Sequence, residues 1–182
     1  MTILLFAGAK VSSDRTDTRM SSLLSSYLSQ LVAERLASRT APQREPEASY
    51  ALGAVMLTDI ASFTAVVERS LESREAFENL TRDFDRYFTR LVEIVYLHGG
   101  DVLTVAGDAF FSFWPAADEA RLSEAVRRAA QAALTIQENL ALQSADVREN
   151  FATRIGIAAG PLTIAFVGGL EGHWELVAAG SP

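Results

Sequence analysis

The stretch "AVMLTDIASFTAVVERS", residues 54–70, decides the fold. It continues an apolar run from Ala51 to Thr58 with no polar alternation, the pattern of a central strand covered on both faces. The run delivers a carboxylate, Asp59, at its end, and a helical start follows directly over Ser62 to Ser70. A charged side chain between a buried strand and a helix start needs a reason.

Moving outward toward the C-terminus, Phe77, Leu80, Phe84, Phe88, Leu91, Val92 and Val95 keep a 3.6-residue period. The spacing predicts one long helix from about Ser73 to His98, stopped by Gly99-Gly100. "DVLTVAGDAFFSFW" holds two β-rich runs broken at Ala106-Gly107-Asp108, which predicts a hairpin with its turn there. Asp118 can cap a further helix running to about Gln143. "ATRIGIAAG" and "LTIAFVGG" read as another strand pair and "HWELVAA" as a last strand. The order β, α, α, β, β, α, β, β is an α+β sandwich, a mostly antiparallel ferredoxin-like sheet with covering helices.

Toward the N-terminus, Leu23, Leu24, Tyr27, Leu28, Leu31, Val32 and Leu36 predict an amphipathic helix over Met20 to Arg39. "TAPQREPEAS", with two prolines and no period, reads as a linker. Residues 1–49 are therefore expected as helix and linker, and 50–182 as the main domain. The opening "MTILLFAGAK" lacks a basic segment before its apolar residues and reads as a short strand or frayed terminus rather than a signal. It is also far too short to span a bilayer.

A net charge of −7 argues against nucleic-acid or anionic-membrane surfaces, which require a basic footprint. An acidic chain that handles a polyphosphate must recruit positive charge locally, from metal ions, backbone N–H groups or a partner. The absence of cysteine excludes disulfides and thiolate metal sites, and the cytoplasm is the expected compartment.

If the first strand lies beside the hairpin, Asp59 and Asp108 reach the same edge of the sheet. Two like charges there call for a cation, and a hard divalent ion such as Mg²⁺ takes oxygen ligands of this kind. Backbone N–H groups from about Ala61 to Thr64 would offer an anion site at the helix start. An aspartate before a helix also serves as an N-cap, and one after glycine also serves a turn. The spacing alone leaves both readings open.

Together, "MLTDIASFTAVVERS", "HGGDVLTVAGDAFFSFWP" and "RIGIAAGPLTIAFVGG" resemble the class III nucleotidyl cyclase catalytic domain. The resemblance is to the first cyclase domain of the soluble, bicarbonate-responsive adenylyl cyclases and their bacterial relatives, and covers the chain from Tyr50 onward. It implies conversion of ATP, or GTP, into a 3′,5′-cyclic nucleotide and pyrophosphate. It also implies two Mg²⁺ or Mn²⁺ ions held by Asp59, Asp108 and the Ile60 carbonyl. Ala61, Ser62, Phe63, Thr64 and Gly107 would line the phosphate site, with the Phe63 ring read as the first core residue of the helix.

The family builds its sites between two cyclase domains, so a second such domain, in cis or trans, is the implied partner. Its base-reading lysine would fall at Thr104, whereas Lys10 is the only lysine of this chain. Thr104 also departs from the activator site of the bicarbonate-responsive enzymes. The family's asparagine and arginine lie beyond "AAGSP", so the chain is expected to carry the metal half of a site, as a piece of a longer protein with an unpaired apolar sheet edge. The alternative is an inactive regulatory or dimerisation module.

A diguanylate cyclase reading of "HGGD" fails because that tetrapeptide precedes the hairpin strand. His98 is expected to meet a helix dipole, His173 and Trp174 to pack at a strand edge, and Arg127 and Arg128 to be solvated. Arg154 fits a site residue or a plain surface arginine equally.

Overall fold

The strand that carries Asp59 is the axis of the fold. In the computed structural model the described residues are 3–10, 29, 31, 45–61, 63–143, 151–168 and 173–180, with 1–10 and 171–175 lacking described side chains. After β1 (Ile3–Lys10) come β2 (Glu47–Ile60), α1 (Phe63–Ser70), α2 (Arg74–Leu97), β3 (Asp101–Ala106), β4 (Ala109–Ala116), α3 (Glu119–Ala141), β5 (Thr153–Gly168) and β6 (His173–Gly180). They form a six-stranded sheet in the order β1-β6-β5-β2-β4-β3, antiparallel at every pairing. The sheet curls until its edge strands β1 and β3 touch.

The expected hairpin and helices form with small boundary shifts. The Ser73 Oγ caps α2 by accepting from the Ala76 N–H at 3.1 Å, and Asp118 caps α3 by accepting from the Arg121 N–H at 2.9 Å. Gly99, at φ 72°, ends the α2 turn in a conformation that disfavours other residues. Gly53 is required for a different reason: a Cβ there would stand 2.3 Å from the Trp114 carbonyl oxygen.

Three expectations are corrected. The segment Glu47–Ser49, assigned to the linker, is already strand, because backbone pairing with Phe166, Ala165 and Ile164 needs no apolar run at a half-exposed strand end. The proposed pair "ATRIGIAAG" and "LTIAFVGG" is one continuous strand, β5. Pro161 does not break it, since it pairs with Leu52 on one side while pairing with β6 begins only at Leu162. The β6 edge, expected to lie open, is paired along its length by β1, from Ile3 opposite Gly180 to Lys10 opposite His173.

The helix predicted over Met20 to Arg39 lies outside the described residues except at Ser29 and the helical Leu31. The Leu31 N–H donates to Asp101 Oδ2 at 2.9 Å, at the start of β3. Asp101 begins β3 instead of forming a turn.

Two apolar clusters divide the sheet. Ala54 and Met56 of β2, with Phe110 and Trp114 of β4, pack beneath Leu91, Ile94 and Val95 of α2 and Ala125, Ala129, Ala132 and Ile136 of α3. On the other face, Val55, Leu103, Phe111, Phe113, Ile164, Phe166, Leu176 and Ala178 fill the inside of the curl. The alternation within β2 is therefore between two buried faces, which is why its sequence shows none.

Candidate functional site

The β2–β4 ladder runs from Leu52 opposite Ala116 to Thr58 opposite Phe110. Continuing both strands places Asp59 across from Ala109 and Ile60 across from Asp108, in the Gly107–Asp108 turn. Asp59, in β2, and Asp108, in the turn before β4, thus stand at the same end of the sheet. Gly107, at φ 64°, supplies the left-handed backbone of that turn. Strand alternation sends Asp59 to the side of Val55 and Leu57, away from α2 and α3.

On its other side β2 pairs with β5, and here Asp59 lies directly opposite Arg154. The Arg154 Nη2 donates to Asp59 Oδ2 at 2.8 Å, with side chains 71% and 30% exposed respectively. The sequence left Arg154 undecided because the register of two strands so distant along the chain is not written locally.

Behind this end the chain is firmly anchored. The Tyr87 hydroxyl meets Thr153 Oγ1 at 2.5 Å, Thr153 Oγ1 donates to the Phe151 carbonyl at 2.7 Å, and Gln137 Nε2 donates to the Thr153 carbonyl at 3.0 Å. Burial pushes the Tyr87 phenol up to about 12 despite the opposing hydrogen bond to Thr153, and the nearby Asp59 charge adds to the rise. Tyr87 stacks on the fully buried Phe151, ring centroids 5.1 Å apart. Phe63 packs on Phe84 at 5.3 Å, which continues to Phe88 and then, edge to face, to Phe110. The Phe63 ring is therefore a packing residue at the start of α1, as its place in the sequence implies.

The phosphate-loop expectation needs one correction. The Ala61 N–H is not free: it donates to the Ala152 carbonyl at 2.7 Å, extending the β2–β5 ladder one step past Ile60 and Thr153. Thr64 is exposed in the first turn of α1, and Ser62 lies outside the described residues. The Ile60 side chain is buried.

The donors brought to this end are hard oxygens: two carboxylates and the Ile60 carbonyl. Among the described residues no group of three or more His, Cys, Asp or Glu side chains gathers to hold a metal. Such a set cannot enclose an ion by itself. It fits Mg²⁺, which keeps waters and completes its shell from substrate phosphates.

The other candidates resolve into structure. His98 caps α2, its Nδ1 2.8 Å from the Ile94 carbonyl oxygen, and its own carbonyl accepts from Trp114 Nε1 at 3.0 Å. Arg127 and Arg128 pair with Glu124 on the solvated side of α3, and their guanidinium groups hold the Glu124 carboxyl well below its usual range, at about 2. Thr104 is buried in β3, opposite Phe111 and next to a register shift. The side chains of His173 and Trp174 lie outside the described residues, although both backbones pair with β1 and that of Trp174 also pairs with β5. No helix of the described residues is long and apolar enough to cross a membrane.

Residues 46–176 match the family model of the adenylate and guanylate cyclase catalytic domain. The chain is 29% identical over 128 residues to adenylate cyclase type 10 of Oryctolagus cuniculus, covering 69% of this chain and 8% of that protein. It is 33% identical over 123 residues to adenylate cyclase 1 of Rhizobium meliloti (strain 1021), covering 64% and 17%. The chain thus spans less than a fifth of the length of these curated relatives. Its fold superimposes on a bacterial light-regulated adenylyl cyclase with a TM-score of 0.65 at 18% identity, covering 88% of this chain and 45% of the other.

Proposed function

Since the chain belongs to the adenylate and guanylate cyclase catalytic domain family, we propose that it supplies the metal-binding half of a site that converts ATP into 3′,5′-cyclic AMP and pyrophosphate. The observation that carries this reading is the register that brings Asp59 and Asp108 to one sheet end. The choice of ATP over GTP rests on the adenylate cyclases among its relatives.

Asp59 and Asp108, with the Ile60 carbonyl, would hold two divalent ions, Mg²⁺ or Mn²⁺. When bound, the ions supply Lewis acidity to the ribose 3′-hydroxyl and the α-phosphate and neutralise the β- and γ-phosphates. The α1 N-terminus, around Phe63 and Thr64, presents backbone N–H groups to the triphosphate. The Phe63–Phe84–Phe88 column holds that helix in place, and the anchoring of Thr153 fixes the strand beside Asp59. The base-reading and transition-state side chains would come from a second cyclase domain, in cis or trans, because Thr104 is a buried threonine where the family has a lysine.

The test mixes the chain with a cyclase domain carrying those residues and follows cyclic AMP and pyrophosphate from ATP in Mg²⁺ or Mn²⁺. Asp59→Asn and Asp108→Asn should each lower the rate by at least about a hundredfold. Formation of product at an unchanged rate by both variants would overturn the proposal. The second reading, an inactive regulatory or dimerisation module, draws on Thr104; it predicts association with the second domain and no product from the wild-type pair.

A further inference from the structure

Asp59 already has a cation. Helix-surface pairs such as Arg74–Glu78 join residues within one turn, whereas Arg154 and Asp59 are 95 positions apart and meet only because two strands pair in one register. The 14-residue β2 is matched with β5 along its whole length, so no slip by a single residue is free to separate them. Cross-strand neighbours lie about 5 Å apart at Cβ, within easy reach of an arginine. The base of Arg154 is also fixed, since the preceding residue is tied by Tyr87 and Gln137 and the one before that by the Ala61 N–H.

We infer that Arg154 is the resident counter-ion of Asp59, occupying its carboxylate until a divalent cation displaces the guanidinium. The inference rests on the metal-binding reading of Asp59 given above. Its physical basis is the cross-strand pair itself: in an acidic chain the Asp59 carboxylate stands directly opposite Arg154 and accepts from its guanidinium at 2.8 Å. A guanidinium offers one positive charge in a hydrogen-bonding fork and a divalent ion offers two in a compact sphere, so both compete for the same oxygen. The pair is weak enough to yield because it is largely exposed: such pairs contribute between nothing and a few-fold in an equilibrium constant. Arg154 is thus a positioning residue, keeping Asp59 aimed and neutralised while making metal uptake a replacement.

Displacement and simple orientation predict opposite signs. If Arg154 competes, Arg154→Gln should bind Mn²⁺ about two- to fivefold more tightly in the absence of nucleotide. If Arg154 only orients the carboxylate, the same variant should bind more weakly. Arg154→Lys, which keeps the charge, should return most of the way to wild-type affinity. The difference between wild type and Arg154→Gln should shrink in about 1 M salt, where the Debye length falls to roughly 3 Å.

The experiment is calorimetric titration of the full chain with MnCl₂, joined to the ¹⁵N side-chain resonance of Arg154 followed during MgCl₂ addition. Displacement requires that resonance, identified by its loss in Arg154→Gln, to shift with Mg²⁺ in the wild type and to stay fixed in Asp59→Asn. Asp59-dependent Mn²⁺ binding that is unchanged or weakened in Arg154→Gln would overturn the inference and leave the metal reading standing. Mn²⁺ binding unaffected by Asp59→Asn would remove the metal reading itself, and the inference with it.

Discussion

Alternate residues of β2 meet two different environments. Ala54 and Met56, both fully buried, lie under α2 and α3 together with Phe110 and Trp114. Val55 and Leu57 face the inside of the curled sheet, and their row ends in Asp59, half-buried beside Arg154. The helix-covered face is closed by this chain's own side chains, so its residues act through volume and shape. The other row runs from an apolar interior to an open end, where the Asp59 carboxylate meets the Arg154 guanidinium at 2.8 Å. Strand alternation thus separates the helix-covered core from a second buried face whose row ends at the Asp59–Arg154 pair.

The largest effect should come from opening the closed face. Phe110 is fully buried and meets Phe88 edge to face at 5.3 Å. Phe110→Ala removes a large aromatic volume at the point where β4, β2 and α2 converge, and should cost about 3–5 kcal/mol. Urea denaturation of wild type and variant measures it directly. A loss below about 1 kcal/mol would mean that the helix-covered face does not carry the stability.

The closed face is also the part most legible in sequence. Phe77, Leu80, Phe84, Phe88, Leu91 and Val95 announce α2 because a helix that buries one stripe must repeat its apolar residues at that period. The Gly107–Asp108 turn and the Ser73 and Asp118 caps are local chemistry, decided within a few residues. What escaped is non-local. The unbroken run of β5 through Gly160 and Pro161 depends on where β6 begins to pair, which the local sequence of β5 does not contain. The covering of β6 by β1 and the loss of the Ala61 N–H to Ala152 are likewise set by pairing across long separations. At the candidate site, the two aspartates were legible as strand-end and turn residues. The partner of Asp59 was not, because only the β2–β5 register selects Arg154 over any other exposed arginine.

An intermediate effect tests the link between the two environments. Tyr87 reaches from α2 to Thr153, beside the open end, and its removal takes away a hydrogen bond without orphaning the threonine, which still donates to the Phe151 carbonyl. Tyr87→Phe should therefore cost about 1 kcal/mol at neutral pH. The pH dependence has a definite sign. The folded phenol is raised to about 12 from 10.0, so above pH 10 the unfolded chain sheds a proton that the folded chain keeps. Wild-type stability should fall between about pH 10 and 12, and Tyr87→Phe should lack that part of the fall. Denaturation curves at pH 8 and pH 11 would show it, and parallel losses in both proteins would place the phenol outside the folded interior.

The smallest effect marks where the closed face is imperfect. Thr58 and Ser112 point the same way as Met56 and Phe110, are almost wholly buried, and their hydroxyl oxygens find no hydrogen-bond partner among the described residues. A buried hydroxyl without a partner pays its desolvation and receives nothing back. Ser112→Ala removes that unbonded group while leaving the Cβ that packs opposite Met56, so thermal melting should give a Tm equal to or slightly above that of the wild type. A clear drop in Tm would show that the Ser112 hydroxyl is engaged, and the closed face would then hold a polar contact of its own. An unchanged or raised Tm, set against the loss expected for its neighbour Phe110→Ala, would show that this face is held by apolar volume, with polar work left to the end of β2 where Asp59 stands.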